Sequence, residues 1–555
     1  MARHFRLLCA SLLALAAIPG AAETCGAGDG KRVFWGDLHV HTAFSLDAYV
    51  AAATRTPEDA YRFARGEPDR LADGSEVRID RPLDFLAVTD HAEYFGVAQL
   101  CGQLDTDIAY CRELNEAVET DGVRAFREFF LPPLMANERI CPEGADRCRN
   151  DARDLWDRVQ RAAHEAYEPC EFTTFVGNEW TLSPENLHWH RNLIYRGEVV
   201  PRDAINVLDE PTVADMLRAL ERRCRPEEGC EALAIPHNMN LGMGGSLATT
   251  GQDAATLELR ARFERLAEIF QHKGASECWP GGPFTDEACD FEIALPVRAG
   301  QSVTAGAPVY SEAEQAEIAA GYVRPALAEG LGQQAASGLN PLRLGFVGAT
   351  DSHGARPGYV TEPGWRGTFS GLDDTPESRS RLATFNPGGL TGVWATENTR
   401  EAIFDALARR EVYATSGPRI RLRFAQTRSL EVAACAGWGA DVAVMGGTLA
   451  PVEAPRFVVH AAMDATPIAA IDIVRLRWEN GAATQHVETF TSDGRADWCL
   501  TWTDPDHDAR LPTLWYARVR EAPTPRWSVE LGDETMIEER AWSSPIFSFP
   551  DPFER

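Results

Sequence analysis

"GDLHVHTAFSLDA", residues 36–48, sets two histidines, His39 and His41, one residue apart directly behind the apolar run Val33, Phe34, Trp35. A short run of β-branched and aromatic residues reads as a buried strand. Both imidazoles therefore stand at a strand end. The chain has only 13 histidines in 555 residues, so a pair at one strand end points to chemistry rather than to packing alone.

Five more short apolar runs repeat the pattern, at 85–88, 172–176, 232–235, 269–270 and 344–347. Segments 57–65, 152–166, 212–223, 254–267 and 311–328 between them carry helical periodicity or composition. Strand and helix in alternation predict an α/β fold with a largely parallel sheet or barrel. The residues that follow the runs are of one kind: Asp90 and His91 after "DFLAV", Glu179 after "FTTFV", His237 after "ALAI", His272 after "EIF", Asp351 and His353 after "LGFVG". In a βα barrel the C-terminal strand ends share one face, so these side chains converge there. Imidazoles with carboxylates suit Zn, Mn or Fe, whereas an all-oxygen set suits Ca or Mg. Glu179 and Asp351 each offer two oxygens and are the natural bridges of a cluster of two or three divalent metal ions.

The acidic, Cys-rich stretch 101–148 is long for a connection and predicts an inserted helical lid at about 100–150. The Gly/Pro-rich stretch 279–307 predicts an ordered loop or flap. A helix at 399–409 carries Glu401 near its start, where negative charge suits the helix dipole. From 421 the pattern changes to "RFVVHAAM", "AAIDIVRLRW" and "LWYARVRE", which predicts a smaller β-sandwich-like domain at 421–555 behind a larger α/β unit at 23–420.

Residues 1–22 read as an export signal, with Arg3 and Arg6 ahead of an apolar run at 7–18 and the small residues Gly20 and Ala22. The run is shorter than the roughly 20 apolar residues of a membrane span, so no membrane anchor is expected. Against 83 acidic residues stand 54 basic ones, a formal net charge of −29. Such a chain repels polyanions at long range, which argues against nucleic acid or an anionic membrane as the main ligand. Of the 13 cysteines Cys9 leaves with the signal, and no CxxC pair suggests thiolate metal ligation. Disulfides in a periplasmic or secreted protein are expected, with Cys101–Cys111, Cys141–Cys148, Cys224–Cys230 and Cys278–Cys289 at short range. Cys25, Cys170, Cys435 and Cys499 remain for long-range closure.

In order, "GDLHVHTAFSLDA", "AVTDHAE", "GNEW", "IPHN", "IFQHKG" and "GATDSH" resemble the PHP (polymerase and histidinol phosphatase) family of metal-dependent phosphoesterases. "ENTREAIFDALARREVYATSGPRI" and "AWSSPIF" are similar to its exported DUF3604 branch. The resemblance implies a distorted (β/α)7 barrel with a trinuclear site. Carried over, it implies one metal held by His39, His41, Glu179 and Asp351, a second by Glu179, His237 and His272, and a third by Asp47, His91 and His353. Asp47 departs from members with histidine there, and makes the third position more negative.

The implied activity is hydrolysis of a small phosphomonoester or phosphodiester by a hydroxide that the metals activate. Among catalytic candidates, His190 and Arg191 in "HWHRNLIYR" are placed to meet a phosphate or protonate a leaving group, or to serve as satisfied polar groups on a strand. Asp90 is a candidate to orient a ligand imidazole or to close a turn. Lys273 and Arg356 are further candidates to offset phosphate charge. Ser352 and Ser416 lack the GxSxG context of an activated serine. His164, His460, His486 and His507 read as structural or exposed.

Two other readings stay open. Amidohydrolase-like metal hydrolases also begin with HxH, but commonly carry a bridging lysine where this chain has Glu179. A non-catalytic binding protein would use closed four-ligand metal sites, whereas nine ligands for three ions leave open positions.

Overall fold

The structure is a computed structural model. It describes Cys25 and residues 30–550 except 72, 103–108, 121–145, 297–309, 371, 372, 374, 381–384, 429–434, 436–440 and 451. All six strands expected from the apolar runs form: β1 (Arg32–Asp37), β2 (Phe85–Val88), β3 (Thr173–Trp180), then β5 (Ala232–Pro236), β6 (Leu266–Gln271) and β7 (Gly345–Gly348). Between β3 and β5 the structure adds β4 (Arg191–Tyr195), and after β7 come β8 (Leu390–Ala395) and β9 (Val412–Thr415).

β1, β2 and β3 pair in parallel, as expected. β4 departs from that pattern and lies antiparallel between β3 and β5. The reason is length, because residues 181–190 are too few for the dozen or so that a parallel crossover needs. On its other side β1 pairs antiparallel with β8, and β8 with β9. β6 and β7 pair in parallel in a separate three-stranded sheet. The fold is thus a mixed α/β one, with a large mixed sheet rather than one continuous parallel ladder. Backbone bonds from Ala349 N to Phe270 O (3.1 Å) and from Gly389 N to Ala349 O (2.7 Å) join the end of β6 to the segment leading into β8. Gly388 permits that approach: its φ is +87°, and a Cβ there would fall 2.7 Å from Thr350 Cα.

The helices follow the predicted segments with two differences. Segment 311–328 forms two helices, Glu312–Ala320 and Val323–Ser337, with Gly321 and Tyr322 between them. The helix expected over 254–267 ends at Phe263, because Leu266 and Ala267 enter the wholly buried β6.

The C-terminal region forms strands β10 (Arg421–Thr427), β11 (Asp441–Val444), β12 (Arg456–Ala462), β13 (Ile468–Glu479), β14 (Ala482–Arg495), β15 (Asp497–Thr503), β16 (Thr513–Glu521), β17 (Arg540–Ser543) and β18 (Ile546–Ser548). β10, β11, β12 and β15 make one antiparallel sheet. It faces a second, with the Phe457 ring 5.0 Å from that of Trp515. The second sheet is not separate, because β17 pairs with β9 and continues the large sheet across residue 421.

One buried carboxylate ties the two parts together. Glu277 accepts from Arg324 Nη2 (2.6 Å), Tyr516 OH (2.6 Å), Arg518 Nη1 (3.1 Å) and Trp542 Nε1 (2.7 Å). Three of those donors come from β16 and β17. Disulfides Cys101–Cys111, Cys224–Cys230 and Cys278–Cys289 form as expected, and Cys25–Cys170 and Cys435–Cys499 make the long-range closures. The expected Cys141–Cys148 pair, the signal segment 1–22 and most of the Cys-rich insertion lie outside the described residues. Among the described residues no helix is long and apolar enough to cross a membrane.

Burial opposes the charge of Glu277, but Arg518 and Arg324 outweigh it and hold the carboxyl below the usual glutamate range. A lowered folded value means stability that is present above the unfolded pKa of about 4.3 and lost as pH falls below it. We therefore expect the thermal midpoint to drop as pH is lowered through that window. In Glu277→Gln this part of the acid sensitivity disappears, and stability at pH 7 falls by about 3–5 kcal/mol, the usual cost of breaking a buried ion pair. Thermal and urea unfolding of both proteins across pH check this.

Candidate metal centre

All nine residues proposed as ligands are buried; seven of them follow a strand end, and Glu179 is the last residue but one of its strand. His39 and His41 leave β1, His91 follows β2, Glu179 lies in β3, and His237, His272, Asp351 and His353 follow β5, β6 and β7. Asp47 comes from the short helix Leu46–Val50. The backbone is strained where it must aim side chains inward. Asp351 has φ 53°, and Asn238, next to His237, has φ 54°, both in the left-handed region that non-glycine residues avoid.

The side chains meet in groups. His39 Nε2 lies 3.1 Å from His41 Nε2, 3.2 Å from Glu179 Oε2 and 3.2 Å from Asp351 Oδ1. His41 Nε2 lies 3.3 Å and 3.1 Å from the same two oxygens. These four residues are the set expected for the first ion. Asp47 Oδ2 stands 3.0 Å from His91 Nε2 and 2.9 Å from His353 Nε2, which is the third expected set. The second set is divided: His237 Nε2 is 3.2 Å from Glu179 Oε1, but His272 Nε2 is 3.1 Å from Asp351 Oδ2. His272 groups with Asp351 and His353, and His237 with His39 and Glu179.

The other ring nitrogens decide what this arrangement fits. His39 Nδ1 is 3.0 Å from the Glu268 carboxylate, which can only accept, so Nδ1 carries the hydrogen. His41 Nδ1 donates to Ser45 Oγ (2.8 Å), whose own hydrogen goes to Asp90 Oδ1 (2.8 Å). His91 Nδ1 donates to Thr181 Oγ1 (2.6 Å), which donates on to Glu179, and His353 Nδ1 donates to the Asp351 carbonyl (2.8 Å). Each neutral imidazole then turns an Nε2 lone pair inward. Those lone pairs face one another and carboxylate oxygens at 2.9–3.3 Å, a repulsive arrangement unless cations lie between them. The residues fit divalent metal ions, and the Nδ1 partners are the outer contacts that fix ligand imidazoles in metalloproteins.

The charges agree. Burial raises the cost of ionising Glu179 and Asp351, yet neighbouring histidines, with Lys273 beside Asp351, hold both carboxyls well below the usual range. For His39 burial disfavours the cation, but Asp351 and Glu268 prevail and raise it. At His237, His272 and His353 burial prevails and lowers the imidazole, and the carboxylates that favour a proton on His39 favour a metal cation for the same reason.

The catalytic candidates separate. His190 reaches the centre, with Nδ1 donating to Glu179 Oε1 (2.9 Å) and Nε2 accepting from Ser183 Oγ (2.8 Å). Burial lowers its pKa to about 4 even against the bond to Glu179, so it is neutral at pH 7. The expectation for Arg191 is corrected. It is the first residue of β4 and its side chain is held away from the centre by Glu264 (2.9 Å), the Trp189 carbonyl (3.0 Å) and the Ser246 carbonyl. Asp90 touches no ring nitrogen; it accepts from Thr42 N (2.6 Å), Thr42 Oγ1 (2.7 Å) and Ser45 Oγ, and so holds the loop that aims His41. Lys273 Nζ meets Asp351 Oδ2, while Arg356 pairs with Asp69 (3.0 Å). Ser352 Oγ accepts from the backbone N–H of Arg356, and Ser416 donates to Glu539. Glu268 was missed by sequence reasoning. It lies inside β6, where strand alternation turns it inward, and only its position two residues before Phe270 marked it.

Fold and side chains together define an α/β protein with a buried candidate metal centre. The chain belongs to the DUF3604 family: the model described as "Protein of unknown function (DUF3604)" matches residues 29–488 and 477–550. No curated protein matches it. Among solved structures it is similar to a two-domain protein containing a predicted PHP-like metal-dependent phosphoesterase from Bacteroides vulgatus. Identity is 12%, over 90% of this chain and 94% of that one, with a TM-score of 0.29, and nothing further rests on that likeness.

Glu268→Ala and Ser45→Ala each remove an acceptor that fixes a ligand tautomer. Each is expected to weaken metal binding by about 10- to 100-fold without changing the far-UV circular dichroism. Competition titration against a chromophoric chelator measures this, and unchanged affinity in both variants would count against the ligand assignment.

Proposed function

We propose that the chain is an exported hydrolase that cleaves a small phosphomonoester or phosphodiester with two or three divalent ions, Zn, Mn or Fe. The observation that carries this reading is the ring of Nε2 lone pairs turned onto shared carboxylates, with their Nδ1 hydrogens committed outward. His39, His41, Glu179 and Asp351 would hold one ion, Asp47, His91 and His353 a second, and His237 and His272 the remaining positions. We read β1 to β7 as a distorted seven-stranded barrel around them. Ions bound there supply Lewis acidity and a water of lowered pKa.

The chain's own residues do the rest. Glu179 and Asp351 each present both oxygens to neighbouring imidazoles and would help to hold the ions. Lys273, at Asp351, brings the positive charge that offsets an anionic substrate. His190, neutral and held at both nitrogens, orients Glu179 rather than transferring a proton. Nine residues are too few to close three four-ligand sites, which leaves room for substrate. The net charge of −29 disfavours long polyanions and favours a small substrate. Five disulfides among the described residues support a periplasmic or secreted location.

The test is metal analysis of the purified protein, with a panel of phosphomonoesters, phosphodiesters, lactones and amides assayed with and without chelator. We expect turnover of a phosphorus ester that chelation abolishes. Turnover confined to lactones or amides, or none under any metal, would overturn the phosphoesterase reading. His39→Ala should lower kcat/KM roughly 10³-fold, the several kcal/mol that a metal contributes. Ser352→Ala should retain full activity.

A further inference from the structure

His272 differs from four of the other imidazoles at the centre. His39, His41, His91 and His353 each have Nδ1 fixed by a hydrogen bond, whereas His272 Nδ1 is buried and has no such partner. Its ring is held by packing instead. The Phe385 ring lies 4.8 Å from it at 73°, and the Phe369 ring 6.0 Å from it at 80°. Phe369 also packs on His353, at 4.7 Å.

Phe385 is itself held from the C-terminal region. Its carbonyl accepts from Arg526 Nη2 (2.8 Å) and from Trp527 Nε1 (3.0 Å). Both donors are buried, and both are anchored a second time. Arg526 forms a two-point pair with Glu292 (2.7 and 2.9 Å), and Trp527 N donates to Glu362 Oε2 (2.6 Å) while its ring lies 4.9 Å from that of Trp365. On the far side of Phe385, Asn386 N donates to the His272 carbonyl (3.1 Å). Residues 385 and 386 thus link the ligand histidine to two side chains that follow β16 by only a few residues.

We propose that Arg526 and Trp527 are positioning residues of the metal centre: through Phe385 they set the ring orientation of His272, so the C-terminal region completes the site. The inference rests on the reading of His272 as a ligand. Where a hydrogen bond fixes a ligand imidazole, losing that partner weakens binding; here a carbonyl clamp and an aromatic wall serve in place of the bond. A cover that merely packed over the barrel would not need two buried donors on one carbonyl.

The test uses the full chain, loaded with Co(II), which reports coordination through its visible absorption. Trp527→Ala and Phe385→Leu are each expected to weaken one cobalt-binding step by about 10- to 100-fold and to alter the cobalt spectrum of that step, leaving the others as in the wild type. Trp527→Phe keeps the ring but loses the N–H, and should fall between the wild type and Trp527→Ala. Val529→Ala, a half-exposed neighbour, should match the wild type and thereby exclude general loosening of the segment. If Trp527→Ala does not fold, Phe385→Leu and Trp527→Phe carry the reading. Cobalt affinities and spectra in those variants equal to the wild type would overturn the inference and leave the metal centre intact. A wild-type protein that takes up no cobalt, zinc or manganese would instead overturn the metal reading, and this inference with it.

Discussion

Buried lone pairs facing one another are the constraint on which the rest of this structure depends. An uncompensated buried carboxylate costs several kcal/mol, and Glu179 and Asp351 stand among the imidazoles of His39, His41, His91 and His353, whose hydrogens are committed outward. The surrounding polypeptide is organised to keep them there. Asp37 receives the backbone N–H of His39, Thr350 and Gly358, and so ties the end of β1 to the loop that presents Asp351. Burial pushes its carboxyl up to about 6 despite those bonds. Asp90 does the corresponding work for the loop after His41. The end of β1 and the loops that carry His41 and Asp351 are thus latched by carboxylates that are not themselves ligands.

Much of this was legible in the sequence, because strand ends are easily read. A short apolar run followed by His, Asp or Glu states both a local structure and a chemistry, and six repetitions located eight of the nine proposed ligands. Asp47 required the family resemblance, since it comes from a helix that no apolar run announces. Partnership among ligands was less legible: His272 joined Asp351 rather than His237, because pairing depends on side-chain direction in three dimensions and not on chain order. Arg191 shows the same limit, being adjacent to His190 yet held away from the centre.

Strand direction was legible where the length of a connection decides it. β4 inverted because ten residues cannot carry a crossover, and that length was available in the sequence. The continuity of the large sheet into the C-terminal region was not, since alternating β pattern says that strands exist and nothing about which partners they take. Helix ends followed burial: the apolar residues after Phe263 fit a helix by composition, but β6 claimed them.

The Glu277 hub bears on how this chain can vary. Tyr516, Arg518 and Trp542 supply donors to a carboxylate that belongs to the metal-bearing part, and β17 hydrogen-bonds to β9 alongside them. Exchange of the C-terminal region for an unrelated sandwich would strand that carboxylate and open the edge of β9. A replacement for the C-terminal region would therefore have to bring both a donor set for Glu277 and a new edge partner for β9.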